Sequence, residues 1–436
     1  MGGYEVTCEA TQWGVGHGGL HTQKIQAAEG EANSTIRFIY DCGTSYGIRA
    51  TEPILKQAVL ELVDHSKEDI DALWISHLHE DHVNLLGRLK EICDEENIQI
   101  KRIFLPHLTD LERLTLALEA SEEEDSVDED LGYVEEDSFD WAGFLDDPVR
   151  YISDSFPDSE VNSVGSDVRP PRAVENTHAL RKESIEKNWE DAFLSMRNTG
   201  DAGAILWCLA PFETKNWAVQ VGANDPVGDP FQLLKQAVGN MKTADILDEL
   251  KDKAARKQLR TFIECQLKNK LSLAPTTDQS LLNSTSIVLY SGPLSDIQND
   301  RTVPVYRVAL RQDDGTPSEW IFQANFVRYN DNAAWLGTGD ANLLDPRIRA
   351  EFEDHYEDVL EKIWWASIPH HASGKDSDSQ LWERFSNLQV LGMQTSTRGG
   401  HKSVAKQPVI LGALNRAPLV LASDCFSHRF TYKQEL

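Results

Sequence analysis

The stretch WISHLHEDHVNLLG, residues 74–87, places three histidines and two carboxylates within six positions, directly after an apolar segment. Alternate residues of a strand share a face, so a strand over DALWIS would point His77 and His79 to the same side. The turn that follows adds Asp81 and His82. Imidazole and carboxylate ligands without a thiolate suit Zn, Mn or Fe, and this many ligands favour two metals. The stretch therefore predicts a metal site, against the alternative of histidines that cluster without a metal.

The composition indicates an ordinary globular protein. The chain has 436 residues, of which 40% are hydrophobic and 26% are charged. It has no run of 18 apolar residues, and MGGYEVTCEATQWG at the N-terminus has neither the basic nor the apolar part of a signal peptide, so we expect no membrane span and no secretion. The six cysteines form no C-x-x-C pair, which argues against a thiolate zinc site and a disulfide scaffold. These features favour the cytoplasm.

The charge is strongly negative and unevenly distributed. The formal net charge is −29, and residues 114–149 contain fourteen acidic residues and no basic one. Affinity for nucleic acid comes largely from Lys and Arg, so a chain this acidic repels it overall. The acidic block is either a solvated surface loop or a docking segment for a protein partner, and Tyr133, Phe139 and Trp141 keep the second interpretation open.

The order of apolar segments predicts an α/β layered core. In the first half, YEVTCEA, STIRFIYDCG, DALWIS and IKRIFLP are strand-like, and EPILKQAVLELVDH is helix-like. AGAILWCLAP, from Ala202, is a further buried strand. Strands resume with NSTSIVLYS and AAWLGTG, then IWWASIP, LQVLGMQ and APLVLASD. Asp345-Pro346 is a good helix start, and a second helix is predicted over residues 403–414.

Two segments interrupt this alternation and are interpreted as insertions. The predicted division is a first half over residues 1–107, an acidic, Pro-containing insertion over 108–200, a core strand over 201–219, a helical insertion over 220–282, and a second half over 283–436. The helical insertion contains a long amphipathic helix, ADILDELKDKAARKQLRTFIECQLKNKL. Its basic face is either solvated or in contact with phosphate.

The H-x-H-x-D-H turn resembles that of the metallo-β-lactamase superfamily. FIYDCG resembles the early strand of that superfamily, which ends in Asp-x-Gly, here Asp41 and Gly43. GTGDA places Asp340 at the position of the carboxylate that is shared by two metals. In the second half, NSTSIVL, LGTGDAN, SIPHHASG and GGHKSVAKQPVI follow the order seen in the metallo-β-lactamase-like domain of the competence protein ComEC and in phosphorylcholine esterases of pneumococcal type. Ala372 and Lys402 depart from that pattern, as does His17 in its glycine-rich stretch.

The resemblance implies a four-layer αβ/βα sandwich with two insertions and two divalent metals, Zn or Mn. It assigns His77 and His79 to one metal and Asp81, His82 and one of two adjacent histidines to the other, with Asp340 shared. Adjacent residues at a strand end normally diverge, so only one of that pair should coordinate. The resemblance favours His371, which leaves His370 to contact substrate or donate a proton.

The sequence assigns the remaining histidines to the site less firmly. The resemblance places His401 as a substrate or transition-state contact, against a structural role that is equally compatible with its position. No clear counterpart of a further metal-binding histidine follows the turn. His107 and His178 are candidates that surface or core roles explain better. His17 and His21 belong either to a glycine-rich loop or to the surroundings of the site.

These features together predict a metal-dependent hydrolase. Within the superfamily, the likeness to ComEC implies a phosphodiesterase or nuclease, with Asp81, His370 and His401 at the reaction centre and a water activated by two metals. The expected substrate is a nucleic acid strand, a nucleotide or a small phosphodiester. The alternative is a metal-containing component of a multi-protein system, such as a bacterial defence system, that acts through protein contacts of the acidic insertion.

Overall fold

The computed structural model describes most of both predicted halves of the chain. The described residues are 5–29, 32–64, 68–107, 144, 147–164, 195–197, 205–213, 286–293, 305–310, 321–322, 334–373, 377, 379–395, 407–423 and 426–435. Most of the acidic block, the amphipathic helix of the predicted helical insertion, His178 and His401 lie outside these ranges.

The described elements are a mixture of strands and helices. The strands are β1 (Glu5–Gln12), β2 (Leu20–Glu29), β3 (Ala32–Cys42), β4 (Ile70–Trp74), β5 (Ile100–Pro106), β6 (Glu160–Val164), β7 (Ser195–Arg197), β8 (Ile205–Glu213), β9 (Ile287–Gly292), β10 (Val305–Leu310), β11 (Ile321–Phe322), β12 (Ala334–Gly337), β13 (Ile363–Ser367), β14 (Val390–Thr395), β15 (Leu419–Ser423) and β16 (Phe426–Glu435). The helices are α1 (Ile48–Leu62), α2 (Glu80–Val83), α3 (Leu86–Glu96), α4 (Pro148–Ser155), α5 (Pro346–His355) and α6 (Gln407–Arg416). Short 3-10 turns cover Leu360–Lys362, Pro369–Ala372 and Ser379–Arg384.

The described strands form one hydrogen-bonded network with two similar halves. Its order is β6-β5-β4-β3-β2-β1-β16-β15-β14-β13-β12-β9-β8-β7, and β10 pairs with β11 and β16. In the first half, β3 to β6 run parallel, and β1 and β2 are antiparallel. In the second half, β12 to β15 run parallel, and β16 joins the halves by pairing antiparallel with β1. Each half therefore presents several carboxyl strand ends at one edge.

Three apolar clusters hold these elements together. The first packs α1 and α3 against the first half of the sheet, and the second packs α5 and α6 against the second half. The third contains side chains from strands of both halves, including Phe38, Trp74, Trp335 and Trp365. Large aromatic side chains bury the most apolar area per residue, so this shared cluster is the main apolar contact between the halves.

The local sequence explains the main helices. In α1, Ile54, Leu55, Ala58, Val59 and Leu62 recur at helical spacing and are all buried, so the helix presents one apolar stripe to the sheet. The predicted start of α5 is confirmed. Its first residue is Pro346, and the Asp345 carboxylate accepts the Ile348 N–H at 3.5 Å.

The predicted strands and helices are found wherever the structure describes them, but several strands were missed. The sequence analysis assigned no strand to β2, which follows the glycine-rich stretch and pairs along its length with both β1 and β3. It also missed β16, which carries the contact between the halves. Both strands contain many polar residues, so their stability comes from neighbours that are distant in sequence.

One boundary of the predicted division does not coincide with the sheet. Within the predicted insertion 108–200, β6 pairs in parallel with β5, and Phe144, Ile152 and Phe156 belong to the first apolar cluster. Part of that segment is therefore core, because its apolar residues cover the edge of the first half. The rest of the division stays a prediction.

The described cysteines, Cys8, Cys42, Cys93 and Cys208, are buried and form no disulfide with one another. No described helix combines the length and the apolar character needed to cross a membrane.

Candidate metal centre

The residues that were predicted as ligands meet at the carboxyl ends of parallel strands from both halves. Asp41 lies at the end of β3, and the segment His77–His82 follows β4. Asp340 follows β12, and His370 and His371 follow β13. This is the edge at which α/β sheets commonly bind ligands, because loops from several strands converge there.

The first two histidines face each other after the end of β4. His77 is fully buried, and its Nε2 lies 3.0 Å from Nδ1 of His79. Two nitrogens on one tetrahedral zinc lie about 3.3 Å apart, since each Zn–N bond is about 2.05 Å. His77 and His79 therefore lie close together, as predicted. The reason given in the prediction does not apply, because β4 ends at Trp74 and neither histidine is part of the strand.

A hydrogen-bond network behind the turn orients His77 and His82. The Asp41 carboxylate accepts the Ser76 N–H at 2.6 Å, the Ser76 hydroxyl at 2.8 Å and Nδ1–H of His82 at 2.9 Å. Because the Ser76 hydroxyl donates to Asp41, its oxygen accepts Nδ1–H of His77 at 2.9 Å. When neutral, both imidazoles would present Nε2 as a lone pair, the form that binds metal.

Asp340 lies between the two halves of the cluster and faces four imidazoles. Its Oδ2 is 3.6 Å from Nε2 of His77 and 3.7 Å from Nε2 of His370. Its Oδ1 is 3.7 Å from Nε2 of His82 and 3.9 Å from Nε2 of His371. All four distances exceed hydrogen-bond length, so the carboxylate is surrounded by nitrogens that it does not bond directly.

The expected divergence of His370 and His371 is not observed. Both residues have left-handed backbone, with φ values of 45° and 51°, and Ala372 continues it at 65°. A strand alternates its side chains between faces, but this left-handed turn directs both imidazoles towards Asp340. The assumption of extended backbone at these residues was therefore wrong, and which of the two imidazoles binds a metal stays a prediction.

Two buried nitrogens show that the cluster fits metal ions. Nε2 of His82 and Nε2 of His371 are buried and have no hydrogen-bond partner. An unpaired buried polar atom is costly, and a metal would satisfy both nitrogens. Within the described residues, two groups have ligand atoms within 4.8 Å of one another, namely His77, His82 and Asp340, and Asp81, His82 and His371.

The protonation of the metal-free site reflects its charges. Burial lowers the pKa of His82, but Asp41, Asp81 and Asp340 outweigh burial and raise it to about 10. Burial raises the pKa of the Asp340 carboxyl, but the surrounding imidazoles outweigh burial and hold it well below its usual range. Burial lowers the pKa of His77 well below its usual value, so this side chain is neutral.

A cavity of about 420 Å³ adjoins the cluster and includes Asp340, His82 and His371 in its lining. This volume includes space that is open to solvent. Its described lining contains no lysine or arginine.

His21 and His17 both lie near the cluster but differ in role. His21 also lines the cavity, and its ring stacks on Trp335 with centroids 4.1 Å apart, so it belongs mainly to the aromatic core. His17 is beside the cluster, and its ring centroid is 5.2 Å from that of His371. Of the other predicted candidates, His107 is exposed at the end of β5, and His178 and His401 lie outside the described residues.

The sequence analysis missed the supporting role of Ser76 and did not count Asp41 among the site residues. The only signals were the position of Ser76 directly before the histidine turn and the aspartate at the end of β3. Neither signal reveals the hydrogen bonds between the two residues, because these form only when β3 and β4 pair in parallel.

Comparison with known protein families found a match to the part of the chain that supplies Asp41 and the histidine turn. The family model of the metallo-beta-lactamase superfamily matches residues 32–145, which include Asp41 and the whole H-x-H-x-D-H turn. No curated protein matches the sequence. On this match, residues 32–145 carry a metallo-beta-lactamase superfamily domain.

Proposed function

We propose that the protein is a metal-dependent hydrolase that cleaves phosphodiesters in nucleotides or nucleic acid strands. The superfamily match supports a metal-dependent hydrolase in general. The observation that carries the proposal is the position of Asp340, whose two carboxylate oxygens face imidazoles from both halves of the protein. A carboxylate with one oxygen on each side suits a pair of metals.

The cluster would hold two divalent metals, Zn or Mn, through residues on both sides of Asp340. The proposed ligands are His77, His79, Asp81, His82, Asp340 and His371. Such metals supply Lewis acidity, which activates water and stabilises the charge that develops on the scissile group.

The protein's own contribution is to orient the ligands and leave one side open. Asp41 and Ser76 fix the tautomers of His77 and His82 through hydrogen bonds. The side chains of Asp81 and His370 are 30% and 22% exposed, so they face the open side from which a substrate would arrive. The sequence-based expectation that His401 contacts substrate stays part of the proposal.

The choice of phosphodiesters rests on charge and on the sequence motifs of the second half. The cavity has no lysine or arginine in its described lining, so the metals would be the main positive charge facing a phosphate. The net charge of −29 disfavours extended contact with a duplex and favours small phosphodiesters or single strands. The likeness of NSTSIVL, LGTGDAN and SIPHHASG to the ComEC-like domain points to the same substrate class.

The proposal includes the four-layer αβ/βα sandwich. Its support is the three apolar clusters, two between helices and sheet and one between the two halves of the sheet.

The test is a turnover screen of protein reconstituted with Zn²⁺ or Mn²⁺. The substrates are bis-p-nitrophenyl phosphate, cyclic dinucleotides, RNA, and single- and double-stranded DNA, with a lactam and a carboxylic ester as the competing classes. We expect cleavage of phosphodiesters that is abolished by Asp340→Asn and by chelation. Hydrolysis of only the lactam or the ester would contradict the substrate class. Full metal content without any turnover would favour the alternative of a metal-containing interaction protein.

A further inference from the structure

We infer that His370 and His371 bind different metals of the pair, so that one dipeptide supplies an imidazole to each. His370 would join His77, His79 and Oδ2 of Asp340. His371 would join the group on the Oδ1 side, which comprises Asp81 and His82. This inference rests on the proposed two-metal site.

The two oxygens of Asp340 separate the imidazoles into two sets. Oδ2 lies 3.6 Å from Nε2 of His77 and 3.7 Å from Nε2 of His370. Oδ1 lies 3.7 Å from Nε2 of His82 and 3.9 Å from Nε2 of His371. The adjacent histidines therefore approach opposite oxygens of the same carboxylate.

The backbone explains how neighbouring residues reach both sides. His370 and His371 have φ values of 45° and 51°, a region that non-glycine residues rarely adopt. Their ring centroids are 6.0 Å apart with planes at 76°, so the two rings reach Asp340 from different directions. Strained backbone of this kind persists where the surrounding structure requires it, and functional sites are the usual place.

Hydrogen bonds hold this turn against the loop that carries Asp340. The His370 N–H donates to the Gly339 carbonyl at 3.1 Å, and the Ser373 N–H donates to the His370 carbonyl at 2.8 Å. Gly339 itself has a φ of 50°, so both loops adopt left-handed backbone where they meet. The two imidazoles and the carboxylate are thus positioned as one unit.

The structure gives the other described histidines different surroundings from those of His77 and His79. His21 stacks on Trp335, His355 lies 3.0 Å from the Pro211 carbonyl, and His428 contacts Tyr306. His107 is exposed at the end of β5, and the ring centroid of His17 is 5.2 Å from that of His371, whose Nε2 approaches Oδ1. Among the described residues, His370 is therefore the imidazole placed to complete the set of His77 and His79.

The test compares His370→Asn and His371→Asn with the wild-type protein. Asparagine tolerates left-handed backbone, so the turn should be retained while a strong ligand is lost. Alanine variants at both positions are also measured, because the side-chain amide of asparagine can itself coordinate a metal weakly. His17→Ala serves as the control, because it removes a neighbouring imidazole that is not assigned as a ligand. The readouts are metal content by elemental analysis, cadmium NMR to distinguish the two sites, and near-ultraviolet circular dichroism to verify the fold.

We expect two metal equivalents and two cadmium signals for the wild type and the control. Each histidine variant should keep about one equivalent, and the two variants should lose different signals. The inference is overturned if His370→Ala retains both metals, or if the two variants lose the same signal or both signals. Retention of both metals by His370→Ala would leave the two-metal hydrolase standing, whereas a wild type that binds no metal would refute both proposals.

Discussion

Asp41 is the residue on which the orientation of the H-x-H-x-D-H turn depends. Its carboxylate accepts three hydrogen bonds, from the Ser76 N–H, the Ser76 hydroxyl and Nδ1–H of His82. It is 2% exposed and has left-handed backbone with a φ of 61°, which aspartate tolerates better than most residues. A carboxylate that orients a metal-binding histidine raises its basicity and fixes its tautomer.

We expect Asp41→Asn to weaken metal binding by about 10- to 100-fold, the usual effect of losing such a supporting carboxylate. The amide of asparagine cannot accept all three hydrogen bonds, so Nε2 of His82 is no longer held as the free lone pair. Titration with Zn²⁺ in competition with a chelator measures the change. Asp71→Asn is the matched control, because Asp71 accepts the Arg37 N–H at 2.8 Å outside the cluster. Equal affinities for both variants would contradict this role of Asp41.

At the scale of elements, the loop between β1 and β2 closes over the ends of β3 and β4. The Gly19 N–H donates to the Asp81 carbonyl at 3.1 Å, and the Gly43 N–H donates to the Gly19 carbonyl at 2.9 Å. Gly19 has no side chain to separate these elements. A Cβ there would lie 2.4 Å from Cβ of Asp41 and 2.8 Å from Nδ1 of His82.

Gly19→Ala should therefore lower metal affinity although Gly19 is not a ligand. The methyl group would push Asp41 away from His82 and break the hydrogen bond between them. Gly87→Ala is the control, since a Cβ at Gly87 meets nothing within 4 Å. Because Gly87 lies in the first turn of α3 and away from the cluster, alanine there should leave the metal affinity unchanged. Unchanged metal affinity in Gly19→Ala would show that the loop can retreat without disturbing the site.

The strand β16 contributes a buried histidine that links it to β10 and β15. Nδ1 of His428 accepts the Tyr306 hydroxyl at 2.6 Å, and its Nε2–H donates to the Leu421 carbonyl at 2.5 Å. The neutral imidazole satisfies both partners. Burial lowers the pKa of His428 to about 4, although the bond to Leu421 acts in the opposite direction.

This histidine predicts a loss of stability in mild acid. An unfolded histidine has a pKa of about 6.5, so between pH 6.5 and about 4 the unfolded chain binds more protons and stability falls as the pH falls. The contribution is at most about 3 kcal/mol. Urea unfolding of the metal-free protein at several pH values should show a shallower pH dependence for His428→Gln than for the wild type. An identical slope would show that His428 titrates normally in the folded protein.

At the scale of the whole molecule, the net charge of −29 should govern encounters with charged substrates. Residues 122–140 contain eleven acidic residues and no basic one. This segment lies outside the described residues, and the described Phe144 belongs to the first apolar cluster. A deletion that tests the acidic charge should therefore end before Phe144.

Deleting residues 122–140 should speed association with single-stranded DNA at low salt while leaving metal content unchanged. The effect should shrink as salt rises, because the Debye length falls from about 30 Å at 0.01 M to about 8 Å at physiological ionic strength. Stopped-flow fluorescence of labelled DNA measures the association rate. Loss of metal in the deletion variant would show instead that the segment supports the core.

Local sequence patterns were enough to predict segments whose apolar residues recur at strand or helix spacing, or whose first residues are typical of a helix start. The apolar strand before the histidine turn, the stripe of α1 and the Asp345-Pro346 start of α5 are all local features, so they are visible in the sequence. The strands β2 and β16 were not predicted, because their polar residues are stabilised by partners that are far away in sequence.

The candidate site likewise has features that the sequence predicts and features that depend on the tertiary structure. The sequence by itself determined which residue types occur at the strand ends, because a metal site needs imidazoles and carboxylates at close spacing. Only the tertiary structure decided which atoms face one another: the bonds of Asp41 to Ser76 and His82, and the approach of His370 and His371 to opposite oxygens of Asp340. The physical reason is that these contacts join β3 to β4 and β12 to β13 across long sequence separations. The left-handed backbone at His370 and His371 is likewise held by the loop of Gly339 and is not a preference of histidine itself.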